Sequence, residues 1–218
     1  KAYPDQWKWS NSFQIERARM LLPLAWLVRI DDTPEHREWL KRVTTDLLAT
    51  QDASGALREE IGDLKQGFHK PPQLNLKYGT GETPLLQSNG DPVCDLIYTA
   101  NYALLGLHEA AAATKDPFYA EAENKLTKFL CRVQVRSEAH PELDGGWFRA
   151  FDFRKWDYWA SNGDWGWGAW CMETGWSQSW ITSVLAMRQM KTSLWDVTAD
   201  TQIKEQFAKT KAVMLPGQ

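Results

Sequence analysis

Carboxylates gather in two stretches of this chain, in company that suits acid–base work. Asp91 and Asp95 flank Pro92-Val-Cys94, and Asp144, Asp152, Asp157, Asp164 and Glu173 are spread through a segment dense in aromatic rings. A carboxylic acid of raised pKa can protonate a departing oxygen while a second carboxylate activates water or attacks. The segment reads Asp144-Gly-Gly-Trp-Phe-Arg-Ala-Phe-Asp152, then Trp156-Asp-Tyr-Trp159, Asn162-Gly-Asp-Trp-Gly-Trp-Gly-Ala-Trp170 and Glu173-Thr-Gly-Trp176. The chain carries 13 tryptophans, several times ordinary usage, and they concentrate here. Glycine between rings makes poor helix but lets backbone approach a ligand closely. Aromatic faces beside carboxylates and amides suit sugars, whose C–H faces stack while their hydroxyls take planar hydrogen bonds. A mostly apolar cleft with few polar groups would suit a lipid better. Trp165 and Trp167, each flanked by glycine, read as ligand contacts. Trp147, Trp176 and Trp180 read more simply as packing, and capping alone would account for Asp91 or Glu173 taken singly.

The elements that must position these groups are helices. Apolar residues recur at three- and four-residue steps six times. The first stretch spans about Ser12 to Ile30, and the second opens at Thr33-Pro34-Glu35, a cap followed by proline at the first helical position. A third runs from about Val93 to Thr114. Asp116-Pro117 opens a fourth by the logic of Thr33-Pro34, a fifth covers about Glu173 to Met190, and a weaker sixth covers about Val197 to Val213.

The connections alternate in length. Within each pair of helices the link is a few residues, as in an αα-hairpin. Between pairs it is long, about Gln51 to Pro92 and Arg136 to Met172, and loops of that length in a compact fold are usually functional. If short turns close one end of the array, both long loops lie at the other, together with the starts of the first, third and fifth helices. Helix starts favour anions and carboxylates. That end also carries Glu59, Glu60, Asp63 and Glu82, with Arg58, Arg149, Arg154, Tyr78, Tyr158 and His69. A faint repeat accompanies the layout: Gly55-Ala-Leu-Arg-Glu59 follows the second helix, and Gly145-Gly-Trp-Phe-Arg-Ala150 follows the fourth, which suits stacked hairpins.

Composition narrows the partners. With 218 residues and 43% hydrophobic content the chain can bury a sizeable core, and the expectation is one all-helical domain, itself part of a longer protein. A net charge of -3 offers no basic field for nucleic acid. The richest apolar stretch, Met20 to Ile30, is too short to span a membrane. Cys94, Cys131 and Cys171 form no disulfide framework, and the four histidines lack ligand spacing, so neither metal nor cofactor is expected.

Layout and composition together resemble the α/α-toroid, six-hairpin glycosidase-like proteins, which include unsaturated glucuronyl hydrolases. The likeness rests on the repeated hairpins, the Gly145 to Phe148 turn and the Asn162 to Glu173 stretch leading into a helix. It implies an all-α fold of antiparallel hairpins in a toroid, or part of one, with the sugar over the inner-helix ends. By position, Asp95 and Glu173 match the catalytic carboxylates, with Asp91 and Asp164 behind them. Trp147, Tyr158, Trp159, Asn162, Trp165, Trp167, Trp176 and Arg149 would bind substrate. The implied function is hydrolysis of an oligosaccharide or polysaccharide in a periplasmic or secreted setting. The chain supplies about three hairpins where that family closes a ring with about six, so further chain or a second subunit is implied. Two alternatives stay open. One is a polysaccharide lyase using Tyr78, Tyr158 or His69 as base, with Arg149 or Asn162 neutralising a uronate. The other is a glycan-binding module without catalysis. An isoprenoid enzyme ranks lower, because Asp31-Asp32 falls at the short-turn end and no DDxxD motif occurs.

Overall fold

A computed structural model of the chain describes residues 2–159, 171–172, 177–199 and 210. Among the described residues lie six α-helices: α1 (Phe13–Ile30), α2 (Pro34–Leu48), α3 (Thr99–Thr114), α4 (Pro117–Arg132), α5 (Ser177–Met190) and α6 (Leu194–Ala199). The capping chemistry sets three starts. Ser12 accepts from the Ile15 N–H at 3.0 Å, Thr33 from His36 at 3.2 Å and Asp116 from Phe118 at 2.9 Å. Pro34 and Pro117 sit where a missing N–H costs nothing. Lys115, left-handed at φ 59°, turns the chain from α3 into α4.

The first four helices pair as the short links predict. α1 packs on α2 and α3, and α3 on α4 and α5, so α3 lies at the centre of an inner layer with α1 and α5 on its flanks. Its sequence explains this place: Ala100, Ala103, Leu104, Leu107 and Ala110 are all fully buried, and apolar residues surround the helix. The outer helices touch through Lys41, whose ammonium lies 3.2 Å over the Phe118 ring, and through Gln51, whose amide donates to the Ala122 carbonyl at 3.2 Å.

Three expectations need correction. The third helix does not begin near Val93, because Val93–Asp95 is a strand, β1, and the helix starts at Thr99. The fold is helix-rich rather than purely helical: β1 pairs antiparallel with β2 (Ala150–Asp152), which pairs antiparallel with β3 (Asp157–Trp159). Cys94 faces Phe151 across the first pair, and Phe151 faces Tyr158 across the second. Three-residue strands carry too few positions for a period-two pattern to show against a helical one. The sixth helix begins earlier than Val197 because the buried Glu109 carboxylate accepts from the Leu194 N–H at 2.7 Å and from Trp195 at 3.2 Å. The rest of the stretch expected as a sixth helix, apart from residue 210, and the expected start of the fifth at Glu173 lie outside the described residues.

The sheet also gives the faint repeat a meaning. Leu96 N–H donates to the Arg149 carbonyl at 3.0 Å on the β2 side, while Glu59 N–H donates to the Val93 carbonyl at 2.8 Å from the other edge. The two related turns thus grip β1 from opposite sides, and both long loops meet at one end.

At the short-turn end, His108 of α3 contacts Glu123 of α4 at 2.9 Å and the Thr192 carbonyl at 2.8 Å, and Arg188 of α5 reaches the same carboxylate at 2.5 Å. Burial opposes the charged imidazole, but the bonds to Glu123 and Thr192 outweigh it and raise the His108 pKa. Burial likewise opposes the Glu123 carboxylate, and His108 and Arg188 overcome it and lower its pKa.

α1 and α3 cross at a glycine. A Cβ on Gly106 would come within 2.4 Å of the Leu21 Cβ and 3.3 Å of the Leu22 nitrogen. Neither atom is a flexible side-chain end, so the helices would have to separate. Gly106→Ala is expected to lower unfolding stability by about 1–3 kcal/mol despite the better helix propensity of alanine. Chemical denaturation measures it, and a stabilised variant would contradict the close crossing.

Candidate functional site

The site is built from its buried base upward. Glu59 lies in the first long loop, almost completely buried, and its carboxyl joins the starts of two inner helices. The N-cap Ser12 hydroxyl donates to one oxygen and Thr99, the first residue of α3, donates to the other at 2.6 Å. Asp95 ends β1 with no exposure, and its Oδ1 accepts from the Tyr98 N–H at 2.8 Å, so it fixes the residue that opens α3. Arg149 is also buried, 3.9 Å from the Asp95 carboxylate, with its guanidinium 5.1 Å from the Tyr98 ring centre. Burial, then the charge of Asp95, pushes the Glu59 carboxyl up to about 8, against the opposing pull of Ser12, Thr99 and Arg149. A protonated Glu59 leaves Asp95 and Arg149 as a balanced buried pair, the arrangement that costs least in a medium of low polarity.

Above this base a cavity of about 240 Å³ opens between Ser10, Asn11, Ile15, Arg19, His69, Glu82 and Tyr98. It sits over the starts of α1 and α3. Glu82 is exposed and held at 2.7 Å by the Asn11 amide. His69 is brought in because its backbone N–H donates to Ser10 at 3.1 Å, in a segment anchored by the fully buried Trp9. Gly62 and Gly67 lie so close to that indole that a Cβ would overlap it, at 2.7 and 2.4 Å respectively. Arg19 bonds to Glu16 at 3.2 Å and lies 5.1 Å over Tyr102. Tyr102 stacks beside Tyr98, with ring centres 6.4 Å apart, and meets Trp180 of α5 edge-on at 5.2 Å. The cavity thus combines a carboxylate, an imidazole, a guanidinium and a phenol with aromatic surface running along the inner layer. These groups are of the kinds that hydrogen-bond hydroxyls and transfer protons.

The residues expected from sequence fall into four groups. Asp95 and Arg149 lie directly beneath the cavity. Asp91 is exposed in the turn before β1, where its carbonyl accepts from Val93 at 2.9 Å. Trp147, Tyr158 and Trp159 lie in the second long loop. Trp147 is buried with its indole N–H on the Leu130 carbonyl at 2.8 Å, and Trp159 packs on Leu85, Leu86, Val93 and Ala150. Tyr158 donates its hydroxyl to the Val133 carbonyl. Asn162, Asp164, Trp165, Trp167, Glu173 and Trp176 lie outside the described residues. Arg19 and Tyr98 carried no signal as site residues, since each stands in or beside a helical stripe. Glu82 was visible only as one of several carboxylates at the long-loop end, and His69 as one of three candidate bases for a lyase. Among the described residues no group of three or more His, Cys, Asp or Glu side chains converges to hold a metal ion, and no helix is long and apolar enough to cross a membrane.

Because Glu59 ionises near 4.5 when unfolded and near 8 when folded, its ionisation makes folding less favourable as pH rises through that interval. His108, with a raised pKa, loses its contribution as pH rises above the unfolded value of 6.5, in the same direction. Urea midpoints should therefore fall between about pH 5 and about pH 8, and Glu59→Gln should make that fall shallower, leaving the part His108 supplies. An unchanged slope in Glu59→Gln would mean that Glu59 stays ionised throughout.

No family model matches the chain, and no curated protein matches its sequence. Among solved structures, the crystal structure of a D-mannose isomerase is similar at 14% identity and a TM-score of 0.49, over 80% of this chain and 38% of that one. The chain therefore spans well under half the length of that neighbour.

Proposed function

We propose that the chain is the sugar-binding part of a carbohydrate-active protein and acts on an oligosaccharide as a glycoside hydrolase. The observation that carries this is the cavity over the inner-helix starts, where the exposed Glu82 carboxylate stands beside Tyr98, Arg19 and His69. The Tyr98 ring offers a stacking face, Arg19 and Asn11 offer donors to hydroxyls, and Glu82 supplies one member of an acid–base pair. Glu173 or Asp164, expected at this end from the chain order, supplies the second carboxylate. Asp95 acts as a positioning residue by fixing the Tyr98 backbone. The three hairpins form part of an α/α-toroid that further chain or a second subunit completes, a reading supported by α1, α3 and α5 lying side by side inside α2 and α4.

A second reading is favoured by His69 and Arg19 lining the same cavity: abstraction of a proton beside a uronate carboxylate, as in a polysaccharide lyase, with His69 as base and Arg19 as counter-charge.

Galacturono-, xylo- and cello-oligosaccharides offered to the protein distinguish these. Hydrolysis gives new reducing ends without an ultraviolet-absorbing unsaturated product, and elimination gives both. Glu82→Gln and Glu173→Gln should each lower kcat by on the order of 100-fold or more with KM changed little, whereas Tyr98→Ala should raise KM. Full activity in Glu82→Gln removes it from the mechanism. Sugar binding without turnover of any of the three leaves a glycan-binding module.

A further inference from the structure

A larger cavity, of about 540 Å³, lies between the end of α4 with the turn that follows it and the strand pair β2–β3, and it shares no lining residue with the cavity at Tyr98. Its volume is within the usual range for small-molecule sites. Phe148, Phe151 and Tyr158 line it, with Tyr158 edge-on to both phenylalanines at 4.8 and 5.3 Å. Trp156 also lines it, and its backbone is left-handed at φ 58°, a conformation that costs a bulky residue free energy. Contacts with Phe129 at 6.1 Å and Phe151 at 5.2 Å hold the indole there, yet it stays 39% exposed. Strain retained to present a large ring to solvent points to a use for that ring.

Charge indicates what the ring meets. The Arg132 guanidinium lies 4.2 Å over Trp156 and makes no ion pair among the described residues. Arg136 and His140 also line the cavity, where Asp157 is the one carboxylate among the described lining residues. Arg136 is 3.9 Å from Asp144 and His140 is 3.2 Å from Glu142, in both cases among exposed side chains that a ligand can displace. Among the described residues that line the cavity itself, two guanidiniums face one carboxylate over an aromatic floor. A guanidinium kept flat by stacking presents its N–H edge to a planar or tetrahedral oxyanion.

We propose that this cavity is a second saccharide site, separate from the one at the inner-helix starts, and that it takes an acidic sugar. The sugar ring lies on the aromatic surface of Phe151, Trp156 and Tyr158, and its acid group lies on Arg132 and Arg136. A uronate and a sugar phosphate offer the same chemistry there.

The test follows the Trp156 indole N–H by NMR, its resonance identified by its disappearance in Trp156→Phe. Tetragalacturonate, glucose 6-phosphate and neutral cellotetraose are titrated separately. A saturable shift with either acidic probe, and none with cellotetraose at equal concentration, supports the proposal, and whichever acidic probe binds names the source of the anion. The double variant Arg132→Gln/Arg136→Gln should weaken that binding roughly tenfold or more, while Glu82→Gln should leave it unchanged. The site is overturned if neither acidic probe shifts the resonance, if cellotetraose binds equally well, or if the arginine variant binds as tightly as the parent. Loss of the shift in Glu82→Gln would overturn its separateness. Turnover at Glu82 and binding at Arg132 fail independently, so neither result can be mistaken for the other.

Discussion

The Glu59 carboxyl is the constraint on which the end of the fold that carries the candidate site depends. It belongs to neither helix that it joins, yet one oxygen takes the Ser12 hydroxyl at the start of α1 and the other takes Thr99 at the start of α3. Two inner helices are thereby fixed in height relative to each other. The fixing group is buried, so water does not compete for its hydrogen bonds. Its backbone N–H grips β1 as well, and β1 ends in Asp95, which sets Tyr98. A change at Glu59 thus reaches the cavity wall through two short paths.

The opposite end is organised by the same device with different groups. Glu109 takes the Trp26 indole N–H at 2.8 Å and the first amides of α6, and His108 next to it joins Glu123, Arg188 and the Thr192 carbonyl. Both ends of α3 therefore carry buried carboxylates whose partners come from other elements. Between them the helix is apolar and small enough at Gly106 for α1 to lie close. The polar ends supply direction to a packing that hydrophobic burial alone would leave free to slide.

The second long loop carries aromatic residues for two distinct purposes. Trp147 is exchanged into the core: its indole binds the Leu130 carbonyl, and its backbone N–H and carbonyl are matched by the Gln178 side chain at 3.0 and 2.7 Å. Trp156, nine residues on, is held outward beside Arg132. Residue type and glycine spacing do not separate these two fates. Contact with Phe129 and Phe151 does.

The sequence by itself determined the first two helix pairs and the end at which the long loops meet, because caps such as Thr33-Pro34 and Asp116-Pro117 act within one turn and apolar periodicity is local. It also marked that end as acidic and aromatic. Only the tertiary structure decided which groups line the cavity. Asp95, well placed along the chain, is sealed under Tyr98 by the β1–β2 pairing with Arg149 beside it, while Glu82 and His69, two among many polar residues of the first long loop, reach the cavity through long-range ties to Asn11 and Ser10. Those ties join residues as many as 71 positions apart, and no local pattern encodes a partner at that distance. The strand at Val93–Asp95 was hidden for the same reason, since three residues have no period of their own and become a strand only when Ala150–Asp152 comes to lie beside them.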